Sequence, residues 1–348
     1  MTDPVKFAIV GTGAYGLSRC EAVQQAPGAE LVAVADVDEA RAREAGTKLG
    51  VAWETDYRRL LDRDDIDVVG VFTQSALHRD IAANAAAAGK HVVMTKPIDV
   101  TLERAQGIVE ACANAGVRLF CEFYLRYMRD NFRIYEAVAA GAFGKLILGD
   151  FSYKCFRPQS YYEADGGWRG TLRYAGGGIV MNQSIHAIDK LRWYLGDVAS
   201  VQALTGSYTH TTEVEDTAAA LLEMRSGAMG VLIGTATFHN DRPVHPFYGG
   251  GSTSRSEVNG ESGSVMALND AITMWRPDPN ISWKETAPVT SIFEDVARAL
   301  TEDGYDSPTL VSGEDAVAAL EIVLAIYKSA RTRRPVDVAG QHQTPVGA

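Results

Sequence analysis

The segment Gly11-Thr12-Gly13-Ala14-Tyr15-Gly16 constrains the fold of this chain more than any other part of the sequence. It follows an apolar run, Val5–Val10, that predicts a strand, and it precedes a predicted helix. In such a unit the first glycine allows a tight turn, the second lets the backbone approach a pyrophosphate, and the third lets helix and strand pack closely. Asp36 ends the second apolar run, where a carboxylate meets the ribose hydroxyls of a dinucleotide. The spacing therefore predicts a dinucleotide site.

Strands and helices alternate through the first third of the chain. The predicted strands continue at 31–35, 68–72, 91–94 and 117–121, and the predicted helices lie at 38–49, 81–88 and 101–116. Continuous apolar strands separated by helices indicate a parallel sheet that is covered on both faces.

The pattern changes near residue 125. A hairpin is predicted where Arg225-Ser226-Gly227 separates the runs 217–224 and 229–235, and Asn259-Gly260 marks another turn between strands. These features indicate a second, mainly antiparallel sheet. We predict an α/β chain with a nucleotide-binding domain at 1–125, an α+β domain for substrate binding and oligomerisation at 126–338, and a tail at 339–348.

The composition excludes several classes of protein. Lys and Arg number 33 and Asp and Glu number 44, so the net charge of −11 does not suit a nucleic-acid or membrane-surface binder. No apolar run is long enough to span a bilayer, and the four cysteines form no metal-type pair. We therefore expect a soluble cytoplasmic protein with free thiols, without a bound metal and without nucleic-acid or membrane partners.

Two further motifs contain candidate catalytic residues. Lys96-Pro97 follows a strand, so Lys96 is expected at the ligand-binding edge of the parallel sheet, near the nicotinamide. Asn182 and His186 follow three glycines. If this segment is helical, they lie one turn apart on one face, where an amide and an imidazole can orient and deprotonate a hydroxyl. A buried, capped helix whose histidine makes one structural hydrogen bond explains the second motif equally well.

Together these motifs resemble the glucose–fructose oxidoreductase, inositol dehydrogenase and rhizopine-catabolism (Gfo/Idh/MocA) family of NAD(P)-dependent enzymes. The resemblance covers nearly the full length and rests on segments 11–16, 73–78, 89–97, 168–171, 176–189 and 327–330. It implies a Rossmann domain followed by an open-faced α/β domain, with the active site between them.

The candidate site residues form two sets. The cofactor set is Gly11, Thr12, Gly13, Ala14, Tyr15, Gly16, Asp36, Thr73, Gln74, His78, Thr95 and Lys96. The substrate set is Lys96, Tyr124, Lys154, Arg157, Tyr161, Tyr162, Trp168, Arg169, Asn182 and His186. Basic and aromatic side chains of this kind suit a polyol or sugar, although each one alone is more typical of an ordinary interface loop.

Three departures from the family pattern stand out. Thr95 replaces the glutamate that precedes Lys-Pro, so a carboxylate expected near the nicotinamide ribose is missing. Asn182 replaces an aspartate, which leaves proton transfer to His186 and resembles members that oxidise sugars and nucleotide sugars. Gln74-Ser75 replaces Pro-Asn in a loop on the cofactor side.

We therefore predict an NAD(P)-dependent oxidoreductase that moves a hydride between the nicotinamide and a secondary alcohol or ketone of a sugar, a sugar derivative or a cyclitol. NAD is expected in preference to NADP because Asp36 would repel a 2′-phosphate and Val37 adds no positive charge, although Arg41 and Arg43 lie nearby. His186 is assigned as the base and Lys96 as the polarising group, with the reverse assignment open.

Two other functions fit the same sequence. One is a redox-neutral enzyme that reduces bound NAD only transiently, as in glycoside cleavage or epimerisation. The other is a non-catalytic NAD-binding regulator on the same fold. In each case a homodimer or homotetramer is expected, because the predicted helices cover only one face of the antiparallel sheet.

Overall fold

The computed structural model describes residues 3–241 and 250–339. It divides the chain into two units, Met1–Tyr127 with Val289–Val317 and Met128–Pro288 with Ala318–Ala348. Within the described ranges, no helix is both long enough and apolar enough to cross a membrane. Except for Ala339, the predicted tail at 339–348 lies outside the described residues.

The first unit is built on a six-stranded parallel sheet. Its strands are β1 (Val5–Val10), β2 (Ala29–Ala35), β3 (Ala52–Glu54), β4 (Val68–Val71), β5 (His91–Thr95) and β6 (Leu119–Glu122). They lie in the order β3-β2-β1-β4-β5-β6, and all neighbours are parallel. With elements numbered along the chain, its helices are α1 (Ala14–Gln25), α2 (Glu39–Leu49), α3 (Arg58–Leu61), α4 (His78–Ala87), α5 (Leu102–Ala115) and α10 (Ile292–Thr301).

Local sequence explains where the first unit's helices begin and end. Asp38 caps α2 by accepting from the backbone N–H of Ala40 at 2.9 Å, and Gly50 ends that helix at a φ of 70°. Thr101 caps α5 in the same way, and Gly116 closes it at a φ of 67°. The helix limits predicted at these caps are confirmed.

The segment 289–317 requires a correction to the predicted division of the chain. The sequence pattern predicts this segment in the second domain, but α10 packs against the parallel sheet of the first unit. Phe293 is fully buried, with its ring centroid 5.7 Å from that of Phe7 and 6.3 Å from that of Phe72. Burial of this apolar face places the segment in the first unit, whose other boundary follows Tyr127.

The second unit is built on an eight-stranded sheet. Its strands are β7 (Leu146–Cys155), β8 (Val198–Gly206), β9 (Thr217–Met224), β10 (Met229–Thr235), β11 (Ser252–Gly260), β12 (Ser264–Leu268), β13 (Ala271–Arg276) and β14 (Val336–Asp337). The order is β13-β12-β11-β7-β10-β9-β8-β14, and neighbours are antiparallel apart from β7 and β10. The helices are α6 (Arg129–Ala139), α7 (Gln159–Glu163), α8 (Leu172–Ala175), α9 (Ile185–Leu195) and, from Ala318 on, α11 (Gly313–Thr332).

The two faces of this sheet differ in burial. Along β9, Ala218, Ala220 and Leu222 are buried, whereas Leu221 on the other face is 60% exposed. Leu204 and Met229, from the two neighbouring strands, lie on the exposed face and are 56% and 59% exposed. The fold class predicted from the sequence is confirmed, and so is the hairpin of β9 and β10.

Candidate active site

The glycines between β1 and α1 serve two different purposes. A Cβ on Gly11 would lie 2.6 Å from the Phe72 carbonyl oxygen, and a Cβ on Gly16 would lie 1.8 Å from the Gly11 carbonyl oxygen. These two positions need glycine for packing. A Cβ on Gly13 would meet nothing within 4 Å, although Gly13 stands at the N terminus of α1. The space left there, beside free helix N–H groups, fits a phosphate of a dinucleotide.

Asp36 is joined to the same glycine loop. One of its carboxylate oxygens accepts from the Thr12 backbone N–H at 2.8 Å and from the Thr12 hydroxyl at 3.1 Å. The other accepts from the Asp38 backbone N–H at 3.0 Å. The carboxylate therefore sits at the end of β2 in a fixed orientation, as binding of a ribose would require.

The His78 ring contacts both the loop that contains Lys96 and the loop that contains Thr73. Lys96 follows β5, is partly exposed and precedes a cis peptide bond to Pro97. His78 is fully buried, with Nδ1 3.0 Å from the Pro97 oxygen and Nε2 3.2 Å from the Thr73 oxygen. Burial lowers the pKa of His78. Its ring therefore supports the two loops and offers no surface to a ligand, whereas Thr73 and Gln74 are partly exposed.

Glu122 is a further residue of the cofactor side that the sequence motifs do not predict. It ends β6 in register with Thr95, the position where a carboxylate was expected. Its side chain is 2% exposed and accepts from the Tyr15 hydroxyl at 2.8 Å and from Arg19 at 2.7 Å. Burial and the Glu122 charge raise the pKa of Tyr15 well above 10.0. A carboxylate therefore lies beside Thr95, and side chains from the first two turns of α1 donate hydrogen bonds to it.

In the second unit, Asn182 and His186 share one helical segment. A π-helical turn at Val180–Ser184 leads directly into α9, and it carries Asn182, which is partly exposed. His186 lies one turn further on and is 6% exposed. The segment after the three glycines is therefore helical, but its first turn is wider than an α-helical one, a feature frequent at functional sites.

Four residues of the predicted substrate set form a cluster near this turn. The Arg169 guanidinium lies 4.7 Å from the ring centroid of Trp168 and 5.2 Å from that of Tyr161, and Arg157 lies 5.4 Å from the same tyrosine ring. Gln183, which is not in the predicted set, donates from Nε2 to the Tyr161 hydroxyl at 3.2 Å. The cluster is thus hydrogen-bonded to the residue that follows Asn182.

Three further members of that set are Lys154, Tyr162 and Tyr124, and Tyr162 adjoins the cluster through Tyr161. Lys154 faces the ring of Phe238, with its ammonium 5.8 Å from the centroid. Tyr162 packs on Tyr161 but also on His210, and burial raises its pKa. Tyr124 belongs to the first unit, in a 3₁₀ turn that follows β6.

Two family models match the chain. Residues 5–123 match the oxidoreductase family with an NAD-binding Rossmann fold, and residues 133–266 match the GFO/IDH/MocA C-terminal domain. The chain belongs to the Gfo/Idh/MocA family. This member is therefore an oxidoreductase with an NAD-binding Rossmann domain, as the sequence resemblance implied.

Similar proteins are known over nearly the full length of this family member. A WlbA dehydrogenase from Bordetella pertussis, solved with NADH and UDP-GlcNAcA, is 29% identical with a TM-score of 0.86, covering 97% of this chain and 100% of its own. A D-apiose dehydrogenase from Paraburkholderia graminis is 28% identical, covering 96% of this chain and 89% of its own. A myo-inositol 2-dehydrogenase from Thermotoga maritima is 28% identical, covering 96% and 98%.

Proposed function

We propose that this family member is an NAD-dependent dehydrogenase that oxidises a secondary alcohol of a sugar, a sugar derivative or a cyclitol. The observation that carries the proposal is the helical segment with Asn182 and His186 beside the arginine–aromatic cluster, in a chain that also holds an open nucleotide loop. Aromatic rings stack on sugar rings, and guanidinium groups donate to hydroxyl or carboxylate oxygens. The named D-apiose and myo-inositol dehydrogenases among the relatives support this substrate class.

The proposed roles follow from the bonds that the reaction breaks. Oxidation of an alcohol removes a hydride and a proton, and the nicotinamide, when bound, accepts the hydride. His186 takes the proton, because imidazole exchanges protons near neutral pH. Lys96 places a positive charge beside the oxygen as negative charge develops on it, and the Asn182 amide orients the hydroxyl. The rival assignment makes Lys96 the base and leaves His186 to orient the substrate.

Charge at the end of β2 supports a preference for NAD over NADP. The fixed Asp36 carboxylate would repel a 2′-phosphate, and the neighbouring Val37 is 92% exposed without a charge to offset it. The two arginines of α2 face acids of the same segment. Arg41 lies 3.7 Å from Asp38, and Arg43 pairs with Glu39.

The exposed sheet face supports self-association as a homodimer or homotetramer. Leu204, Leu221 and Met229 are each more than half exposed on adjacent strands, and a second copy of the chain would bury them. We place the enzyme in the cytoplasm on its cysteine usage, since Cys20, Cys112, Cys121 and Cys155 are buried thiols that form no disulfide.

A substrate panel tests the proposed function. The purified protein is offered aldoses, uronic acids, cyclitols and UDP-linked sugar acids, each with NAD and with NADP, while reduced nicotinamide is followed by its absorbance. The UDP-linked acids are included because of the WlbA complex. We expect stoichiometric NADH with at least one compound. A product formed without accumulating NADH would instead indicate the redox-neutral enzyme, and tight NAD binding without turnover would indicate the regulator.

A further inference from the structure

Three backbone N–H groups at the N terminus of the π turn bond to one residue that is distant in the sequence. The first N–H groups of a helix have no carbonyl partner within it. Here the Glu215 carboxylate accepts from the backbone N–H of Gly178 at 2.8 Å and from that of Val180 at 2.9 Å. The Glu215 backbone carbonyl accepts from the N–H of Ile179 at 3.1 Å. Three successive donors therefore end on Glu215, which immediately precedes Asp216 and β9.

Tyr327 of α11 completes the same set of contacts. Its hydroxyl accepts from the Met181 backbone N–H at 3.2 Å and donates to the Glu215 carboxylate at 3.0 Å. The close approach of Tyr327 and Glu215 to this segment requires glycine at positions 177 and 178. A Cβ on Gly177 would lie 2.0 Å from the Tyr327 hydroxyl oxygen, and one on Gly178 would lie 1.7 Å from the Glu215 carbonyl oxygen. The second and third glycines of the run before the helix are thus explained by these two residues, whereas Gly176 ends α8 at a φ of 75°.

The charge of Glu215 suits this position. A carboxylate at a helix N terminus faces the positive end of the helix dipole. Burial raises the pKa of Glu215, against the opposing effect of the N–H groups of Val180 and Gly178. Burial and the neighbouring carboxylate raise the pKa of Tyr327 well above 10.0, so the phenol stays neutral and keeps donating.

We propose that Glu215 and Tyr327 are positioning residues, which hold the π turn in the register that directs Asn182 relative to His186. A π turn contains one residue more than an α-helical turn, and each residue of an α-helix rotates the chain by about 100°. His186 belongs to α9 and is buried there. If the turn relaxed to α-helical geometry, Asn182 would therefore rotate while His186 stayed in place. This inference rests on the proposed function in one respect, namely that Asn182 and His186 are the residues that act on the substrate.

Two variants test the contacts of Glu215 and of Tyr327 one at a time. In Glu215→Gln an amide accepts from one of the two N–H groups and turns its own NH₂ toward the other. In Tyr327→Phe the partner of the Met181 N–H is lost. We expect amides 178–181 to exchange with solvent deuterium about 10-fold faster in each variant. We also expect kcat/KM for the sugar to fall about 10–100-fold, mainly through kcat, with the KM for NAD unchanged.

A double mutant distinguishes positioning from a general loss of stability. If Glu215 acts through Asn182, then Asn182→Ala should cost little further activity in the Glu215→Gln background. Glu302→Gln and Tyr208→Phe, which change exposed side chains of the same types, serve as controls.

Unchanged exchange at 178–181, or losses that multiply in the double mutant, would overturn the inference. If wild-type protein oxidises no compound of the panel, the proposed function fails by itself, and the exchange data still decide whether Glu215 and Tyr327 hold the turn.

Discussion

Removing the charge of Glu122 should lower the free energy of unfolding of the first unit and weaken the binding of NAD. Glu122 ends β6, and its two partners, Tyr15 and Arg19, lie on α1 directly after the glycine loop. The carboxylate therefore fixes the start of the helix whose N terminus is expected to face the phosphates. In Glu122→Gln the side chain keeps its shape, accepts one hydrogen bond and leaves Arg19 without its opposite charge.

The size of the effect follows from the burial of the two partners. Breaking a buried ion pair from one side costs about 3–5 kcal/mol. Here Glu122 is 2% exposed, but Arg19 is 23% exposed and can turn toward water. Glutamine also retains an acceptor for Tyr15. We therefore expect the free energy of unfolding to fall by about 1.5–3 kcal/mol, the range for one hydrogen bond to a charged group. A displaced helix start should raise the KM for NAD about 3–10-fold, as loss of about 1 kcal/mol at a helix N terminus implies.

Urea denaturation of a double-mutant cycle measures the pair directly. The cycle uses wild type, Glu122→Gln, Arg19→Met and the double variant, with Glu30→Gln as a matched change at an exposed position of β2. We expect a coupling free energy of about 1 kcal/mol or more, because the partners are in contact. Effects that add within about 0.5 kcal/mol, together with an unchanged KM for NAD, would refute the reasoning.

The remaining predictions address the cofactor, the base, pH and assembly. Asp36→Ala should narrow the preference for NAD over NADP, measured as the ratio of the two kcat/KM values, and equal or better efficiency of wild type with NADP would contradict the assignment. His186→Asn should lower kcat by about 10²–10⁴ and abolish the acidic limb of its pH profile; survival of that limb, with loss only in Lys96→Met, would reverse the two roles. Burial and Asp295 raise the pKa of Tyr127 well above 10.0, so stability should fall as pH rises past about 10, and thermal melting of Tyr127→Phe should show a shallower fall. Leu221→Lys should shift the mass found by light scattering toward the monomer, and a monomeric wild type at micromolar concentration would exclude self-association.

The alternating pattern of the first unit was predictable because each of its signals is local. Asp38 and Gly50 lie at the two ends of one helix, and their roles depend on backbone groups within a few residues. The hairpin at Arg225-Ser226-Gly227 is local in the same sense. Physical rules for caps and tight turns apply without knowledge of the rest of the fold.

The position of α10 was not predictable in this way. Its apolar stripe shows that one face is buried, but not against which sheet. Phe293 meets Phe7 and Phe72, which lie more than 200 residues earlier in the chain. Many strands offer an apolar surface of that size, so only the tertiary packing selects the correct one.

The residues that support the site were missed for a related reason. Glu122 bonds to Tyr15 and Arg19 across 107 and 103 residues, and Glu215 bonds to Tyr327 across 112. An isolated acid in an apolar segment does not reveal its partner. The glycines that make room for Glu215 and Tyr327 were visible in the sequence, but they are equally compatible with a flexible turn.

Glu122 and Glu215 solve the same physical problem in the two units. Glu122 is the last residue of β6 and Glu215 lies two residues before β9, and each bonds to the beginning of a helix whose first turn is assigned to a ligand. Glu122 acts on α1 and so on the nucleotide loop, whereas Glu215 acts on the π turn and so on Asn182. The two substitutions should therefore change different kinetic parameters. Glu122→Gln should raise the KM for NAD with little change in kcat, and Glu215→Gln should lower kcat for the sugar with little change in the KM for NAD. If both variants changed the same kinetic parameter, the assignment of Glu122 to cofactor binding and of Glu215 to turnover of the sugar would be wrong. That would hold even if each carboxylate proved to stabilise its own helix.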